Sequence, residues 1–133
     1  MKYLLDTDIC IYTIKKSPNK VFKRLSACKV GDVGISAITY SELSYGVSYS
    51  RKPDQNRIAL HEFLAPLEIL DYQAEVAPVY GALRAELRKS GKMFGPLDML
   101  IAAQALHMNC VLVTNNTKEF KRVKGLRVEN WAA

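Results

Sequence analysis

The sequence predicts an α/β protein with a mostly parallel sheet of about five strands. Three observations carry that expectation. Short apolar, strand-like runs stand near residues 3–5, 33–36, 67–70, 110–114 and 126–128. Segments with helical spacing of apolar side chains separate them, and strands alternating with helices build parallel sheets. The chain has 133 residues, 49% of them hydrophobic, enough for one domain over 1–133 with a real core.

In chain order, Tyr3-Leu4-Leu5 runs straight into Asp6-Thr7-Asp8. Asp6 reads as an N-cap for a helix from Ile9 to about Lys15. It also reads as an acid at the carboxyl end of a strand, where ligands gather in open parallel sheets, and the two readings can both hold. Pro18 suits the first turn of a second helix with Ser17 as its cap. That helix turns Val21, Phe22 and Leu25 inward and Lys20, Lys23 and Arg24 outward. Gly31-Asp32 is a turn before the buried strand 33–36.

A helix follows from about Ala37 to Tyr49, with Ser41, Ser44 and Ser48 on one polar stripe. Glu42 lies off that stripe, among Ile38, Tyr45, Gly46 and Tyr49. A carboxylate there is costly to desolvate without a partner; the plainer alternative is a rim Glu whose head reaches water. Arg51-Lys52-Pro53-Asp54 reads as a loop, and a helix ends near Leu64. Leu67 to Leu70 is a strand, with Asp71 as the next cap.

From Gln73 to Lys89, Val76, Tyr80, Leu83 and Leu87 keep helical spacing. Pro78 must kink that helix or lie in its first turn. Gly91 supplies a left-handed end. Pro96 fits the first position of the next helix and puts Asp98 in its first turn, where the helix dipole stabilises negative charge. Met99 to Ala103 is apolar all round, so this helix is buried between layers. Cys110 to Thr114 is a strand, Asn115-Asn116 follows, and Thr117 to Phe120 forms a short turn or helix. After Gly125 comes a last strand, 126–128, and Trp131 packs the tail against the body.

The net charge of +6 favours polyanionic partners, nucleic acid above all. Cys10, Cys28 and Cys110 are odd in number and lack a C-x-x-C pattern, which suits reduced thiols in a cytosolic protein. His61 and His107 are isolated, so a histidine-based metal site is not expected. Nothing reads as a signal peptide, and no apolar run approaches a membrane span, so no membrane partner is expected.

If the strands near 3–5 and 110–114 are central and parallel, Asp6, Thr114 and Asn116 share one sheet edge. The helix starting at Pro96 can bring Asp98 to that edge, and Glu42 can point across it. Carboxylates converging without Lys or Arg between them need raised pKa values or a bound cation. Hard oxygen donors suit Mg²⁺ or Mn²⁺, which activate water and stabilise the leaving oxygen in phosphodiester hydrolysis. An acidic centre in a basic protein points to a metal-dependent nuclease.

These residues carry a resemblance. Leu5-Asp6-Thr7-Asp8, Glu42 within Ile38-Thr39-Tyr40-Ser41-Glu42-Leu43, Gly95-Pro96-Leu97-Asp98, Thr114-Asn115-Asn116 and the terminal Glu129-Asn130-Trp131 together resemble the PIN-domain ribonucleases, specifically VapC-type toxins of type II toxin–antitoxin pairs. The likeness spans essentially the whole chain. It implies a three-layer α/β/α sandwich that forms homodimers. It makes Asp6, Glu42 and Asp98 the acids that hold Mg²⁺ or Mn²⁺, with Thr114 orienting Asp6. Asn116 stands where many relatives place a fourth acid. Asp8 stands where relatives often have Asn, and is not counted among the residues that touch the ion. The implied substrate is structured RNA, with tRNA, and the initiator tRNA anticodon stem-loop, favoured. The implied partner is a cognate antitoxin that obstructs the acidic pocket.

Two other readings compete. Asp6-Thr7-Asp8 after a strand also opens the signature of aspartate-nucleophile phosphotransferases, but their late acidic pair is missing. A non-catalytic RNA- or partner-binding module would use the same carboxylates only as caps.

Overall fold

The computed structural model describes residues 1–16 and 18–133. Among them, β1 (Tyr3–Leu5), β2 (Val33–Ser36), β3 (Glu68–Leu70), β4 (Val111–Val113) and β5 (Val128–Glu129) form one sheet in the order β3-β2-β1-β4-β5. Every pairing is parallel, and β1 is central: Leu5 lies opposite Ile35 on one side and Val113 on the other. The helices are α1 (Thr7–Lys15), α2 (Asn19–Ser26), α3 (Ala37–Tyr49), α4 (Pro53–Leu64), α5 (Ala77–Lys89), α6 (Pro96–Met108) and α7 (Thr117–Phe120).

Alternate strand residues serve opposite layers, because side chains alternate across a strand. Leu5, Val33, Ile35 and Val113 pack with Ile9, Val21, Leu43, Leu60 and Trp131, so α1 to α4 and the tail cover one face. Leu4 and Leu112 pack with Leu83, Leu87, Met99, Ile101 and Phe120, so α5, α6 and α7 cover the other. This is the three-layer sandwich the resemblance implied. Met99 and Ile101 to Ala103 of α6 are buried, as the apolar run predicts, and the burial continues through Gln104 and Ala105. Gln104 follows that run, and its Nε2 donates to the carbonyls of Leu70 and Asp71, tying α6 to the end of β3. Trp131 is buried edge-on to Tyr3, with ring centroids 5.1 Å apart. No helix among the described residues is long and apolar enough to cross a membrane.

The element boundaries differ from the sequence reading in several places. Asp6 caps α1, but the helix starts at Thr7 rather than Ile9. Pro18 is the extended N-cap of α2 rather than a residue of its first turn; the expected cap, Ser17, lies outside the described residues. Pro53 opens α4 instead of sitting in a loop, because proline's fixed φ and missing N–H suit a first helical position. Pro78 lies in the first turn of α5, after a short 3-10 turn at Ala74–Val76, and no kink is needed. Asp71 caps neither. The last strand sits later, at Val128–Glu129, since its ladder with β4 pairs Leu112 with Val128. Gly91, at φ 69°, ends α5 as expected, with Lys92 N–H donating back to the Leu87 carbonyl.

Gly34 is required by close approach. A Cβ there would stand 2.8 Å from the Glu68 carbonyl oxygen of β3 and 2.6 Å from Met1 Sδ. The first contact is backbone, so β3 must move to relieve it. Gly34→Ala is expected to lower stability by about 1–3 kcal/mol in urea unfolding; an unchanged midpoint would contradict this placement of β3.

Candidate active site at the switch point of the sheet

From β1 the chain winds to β2 and then β3, and returns to pair β4 on the far side of β1. Strand order therefore reverses between β1 and β4, and in such sheets the crevice beyond the carboxyl ends at the reversal is where ligands bind. Asp6 directly follows β1 and Thr114 directly follows β4. Asp6 N–H donates to the Val113 carbonyl at 3.0 Å, which pins the two strand ends together.

Asp6 is only 3% exposed. Its Oδ1 accepts from Ile9 N–H at 3.0 Å, capping α1, and its Oδ2 accepts from the Thr114 hydroxyl. The cap is real, and it leaves Asp6 at the switch point. Thr114 Oγ1 in turn accepts from Asn116 N–H at 2.9 Å. Asn116 uses its Nδ2 to donate to Glu119 Oε2 at 2.7 Å. Half-buried Glu42 is held by the Thr7 hydroxyl, which donates to its Oε1 at 2.8 Å. Asp98 sits third in α6, half-buried, with Gly95 as the helix cap.

The electrostatics bind these residues into one group. Burial pushes the Asp6 carboxyl up to about 7, against the pull of its bonds from Thr114 and Ile9, with the Asp8 and Asp98 charges adding to the rise. Burial, then the charges of Glu42, Glu119 and Asp8, push Asp98 up to about 6. Asp6, Glu42 and Asp98 thus share one neighbourhood, and exposed Asp8 acts on it as a charge. The ion pairs among the described residues are Arg24–Glu129 and Arg57–Asp54, so no Lys or Arg neutralises the cluster. The donors are oxygens only and their charge is uncompensated, which fits a hard divalent cation. Among the described residues no three Asp, Glu, His or Cys side chains form a ready-made ligand set; the carboxylates adjoin as charges rather than as a closed shell.

Two participants escape a reading of the sequence. Glu119 has a signal, since it falls three residues after Asn116 at the head of α7, the spacing of a capping box. Here the amide serves the Glu rather than a backbone N–H. Thr7 has none beyond its place beside Asp6. Glu119→Gln is expected to lower the Asp98 pKa and leave Asp6 little changed, read by NMR titration of the carboxyl carbons; an Asp98 titration that does not move would remove Glu119 from the cluster. Shape alone points elsewhere: a cavity of about 470 Å³ lined by Phe22, Leu25, Phe63 and Leu67 includes none of these acids.

A five-stranded parallel sheet with acids massed at its switch point defines a class, and the family model described as the PIN domain matches residues 3–126. Ribonuclease VapC2 of Rickettsia felis is 47% identical over 98% of both chains. The tRNA(fMet)-specific endonuclease VapC of Shigella flexneri is 42% identical over 99% of both. Among solved structures, VapBC2 from Rickettsia felis bound to a DNA fragment from its promoter superposes with a TM-score of 0.93 at 45% identity, covering 98% of this chain and 99% of that one. The chain belongs to the PIN-domain family, as one of its VapC ribonucleases, the toxins of VapBC toxin–antitoxin systems.

Proposed function

We propose that this protein is a Mg²⁺- or Mn²⁺-dependent endoribonuclease whose single domain, residues 1–133, cuts tRNA. The observation that carries the reading is the pair Asp6 and Asp98, raised to about 7 and 6 by burial and by neighbouring acids, with no basic residue paired to them. Asp6, Asp98 and Glu42 would hold the ion. When bound, it would lower the pKa of an attacking water and offset charge on the leaving oxygen. Thr114 and the Ile9 N–H keep Asp6 in one orientation, and Thr7 does the same for Glu42. Asn116 acts by orienting Glu119 rather than as a fourth acid. Asp6 as a phosphoryl-accepting nucleophile fits less well, because both its oxygens already accept hydrogen bonds.

The name of the Shigella relative supports initiator tRNA as the substrate, and the anticodon stem-loop as its cut region follows from the resemblance above. Cleavage there stops translation and growth. The VapBC complex among the similar structures supports neutralisation by a cognate antitoxin. A homodimer in the cytoplasm completes the proposal. In an assay on total tRNA, Mn²⁺ is expected to support cleavage and EDTA to abolish it, with initiator tRNA the first species lost. Cleavage that persists in EDTA would remove the metal, and intact tRNA beside degraded messenger would remove the substrate.

A further inference from the structure

On α3, beyond Glu42, Tyr45 and Tyr49 follow at spacings of three and seven and so continue its ridge along the helix. They are 68% and 80% exposed, and their rings stack on each other at 5.8 Å between centroids and 16° between planes. Two large aromatic side chains held parallel in water support no core, and the surface cost of leaving them there asks for an occupant. At 1.5 Å per residue, Tyr49 stands only about 10 Å along the axis from Glu42. The helix ends beside Arg51 and Lys52, both exposed and in no ion pair among the described residues.

We propose that Tyr45 and Tyr49 form a stacking platform for an unpaired base of the RNA substrate flanking the cut, with Arg51 and Lys52 holding the phosphates beside it. The proposal rests on the ribonuclease reading and deepens it. A flat π face takes any base without reading its sequence, and such stacking is worth enough to change binding roughly ten- to a hundredfold. The platform lies on the same ridge of α3 as Glu42, so a strand whose phosphate lies at Glu42 and Asp98 has it within reach. The neighbouring cations and the +6 net charge favour a polyanion over an apolar protein surface. The tyrosines are positioning residues: they set where a looped strand lies and take no part in bond breaking.

The test uses an RNA hairpin with a seven-nucleotide loop carrying 2-aminopurine, and the full-length protein. In EDTA, wild type is expected to quench the loop fluorescence. The pair Tyr45→Leu/Tyr49→Leu keeps the apolar bulk but loses the π face, and is expected to weaken quenching about tenfold or more. Tyr45→Phe/Tyr49→Phe is expected to stay within about twofold of wild type. With Mn²⁺, the Leu pair should raise KM for the hairpin with kcat little changed, and leave binding of a loop-free RNA duplex unaltered. Unchanged quenching and KM in the Leu pair, an equal loss on the duplex, or a change only in the oligomer seen by sedimentation would overturn the proposal, the last by assigning the face to a second copy. Quenching without cleavage by wild type would leave the platform standing and remove the ribonuclease reading instead.

Discussion

Asp98→Asn is expected to cut RNA cleavage by about 10²–10³-fold or more and to raise the melting temperature of the metal-free protein at neutral pH. The first effect is expected because Asn keeps the shape but brings no charge to a divalent ion; loss of one such electrostatic group costs about 10²–10³-fold in rate or more. The second follows from the environment of Asp98. Burial and the charges of Glu42, Glu119 and Asp8 hold its carboxyl near 6, so keeping it ionised above that pH costs the fold about 1–2 kcal/mol, less than the whole shift because the carboxyl is half open to screening solvent. Removing the charge forfeits its favourable position in the first turn of α6, worth only about 0.3–1 kcal/mol. Desolvation and repulsion outweigh that gain from the helix dipole, so the variant is expected to be the more stable protein. A carboxylate acting merely as a helix-end charge gives the opposite sign, so a lowered melting temperature, or cleavage equal to wild type, would contradict the account.

The metal-free protein is expected to lose stability as pH rises from about 4 to about 7. Asp6 drives this. Its folded carboxyl titrates near 7 against an ordinary 3.8, so between those values the folded state binds the extra proton. Stability is therefore complete below the ordinary value and declines until the pH passes the folded one, by up to about 4 kcal/mol from this residue. Mn²⁺ replaces the proton, so the ion is expected to add more stability at the alkaline end than at the acid end. Urea unfolding across the range, with EDTA and with Mn²⁺, reads both effects, and Asp6→Asn should flatten the metal-free profile. A wild-type profile that is flat, or rises, through this window would mean that Asp6 is not held as described.

Much of this was legible because strand ends announce themselves. Asp6 and Thr114 each follow an apolar run, and a parallel sheet puts such residues at one edge. Asp98 was legible through Pro96, which marks a helix start from its own covalent geometry. What stayed hidden depends on tertiary register. The tail strand's register with β4 begins at Val128, so Leu126 and Arg127 fall outside it although they are strand-like in composition, with only the Arg127 carbonyl accepting from Leu112 N–H. Asp71 has a capping residue's chemistry, but the 3-10 turn that follows begins too late for it to cap. The restraint of Glu42 by Thr7 joins residues 35 apart in sequence, and no local pattern announces it. Asn116 was legible at the end of β4, but its hydrogen bond to Glu119 was not.

Calorimetric titration of the free protein with Mn²⁺ near pH 6.5, in two buffers of different ionisation enthalpy, tests the central claim most directly. Saturable binding that releases protons is expected, because Asp6 and Asp98 are partly protonated there, with loss of that binding in both Asp6→Asn and Asp98→Asn. Absence of Mn²⁺ binding by wild type, or equal affinity in either variant, would contradict it.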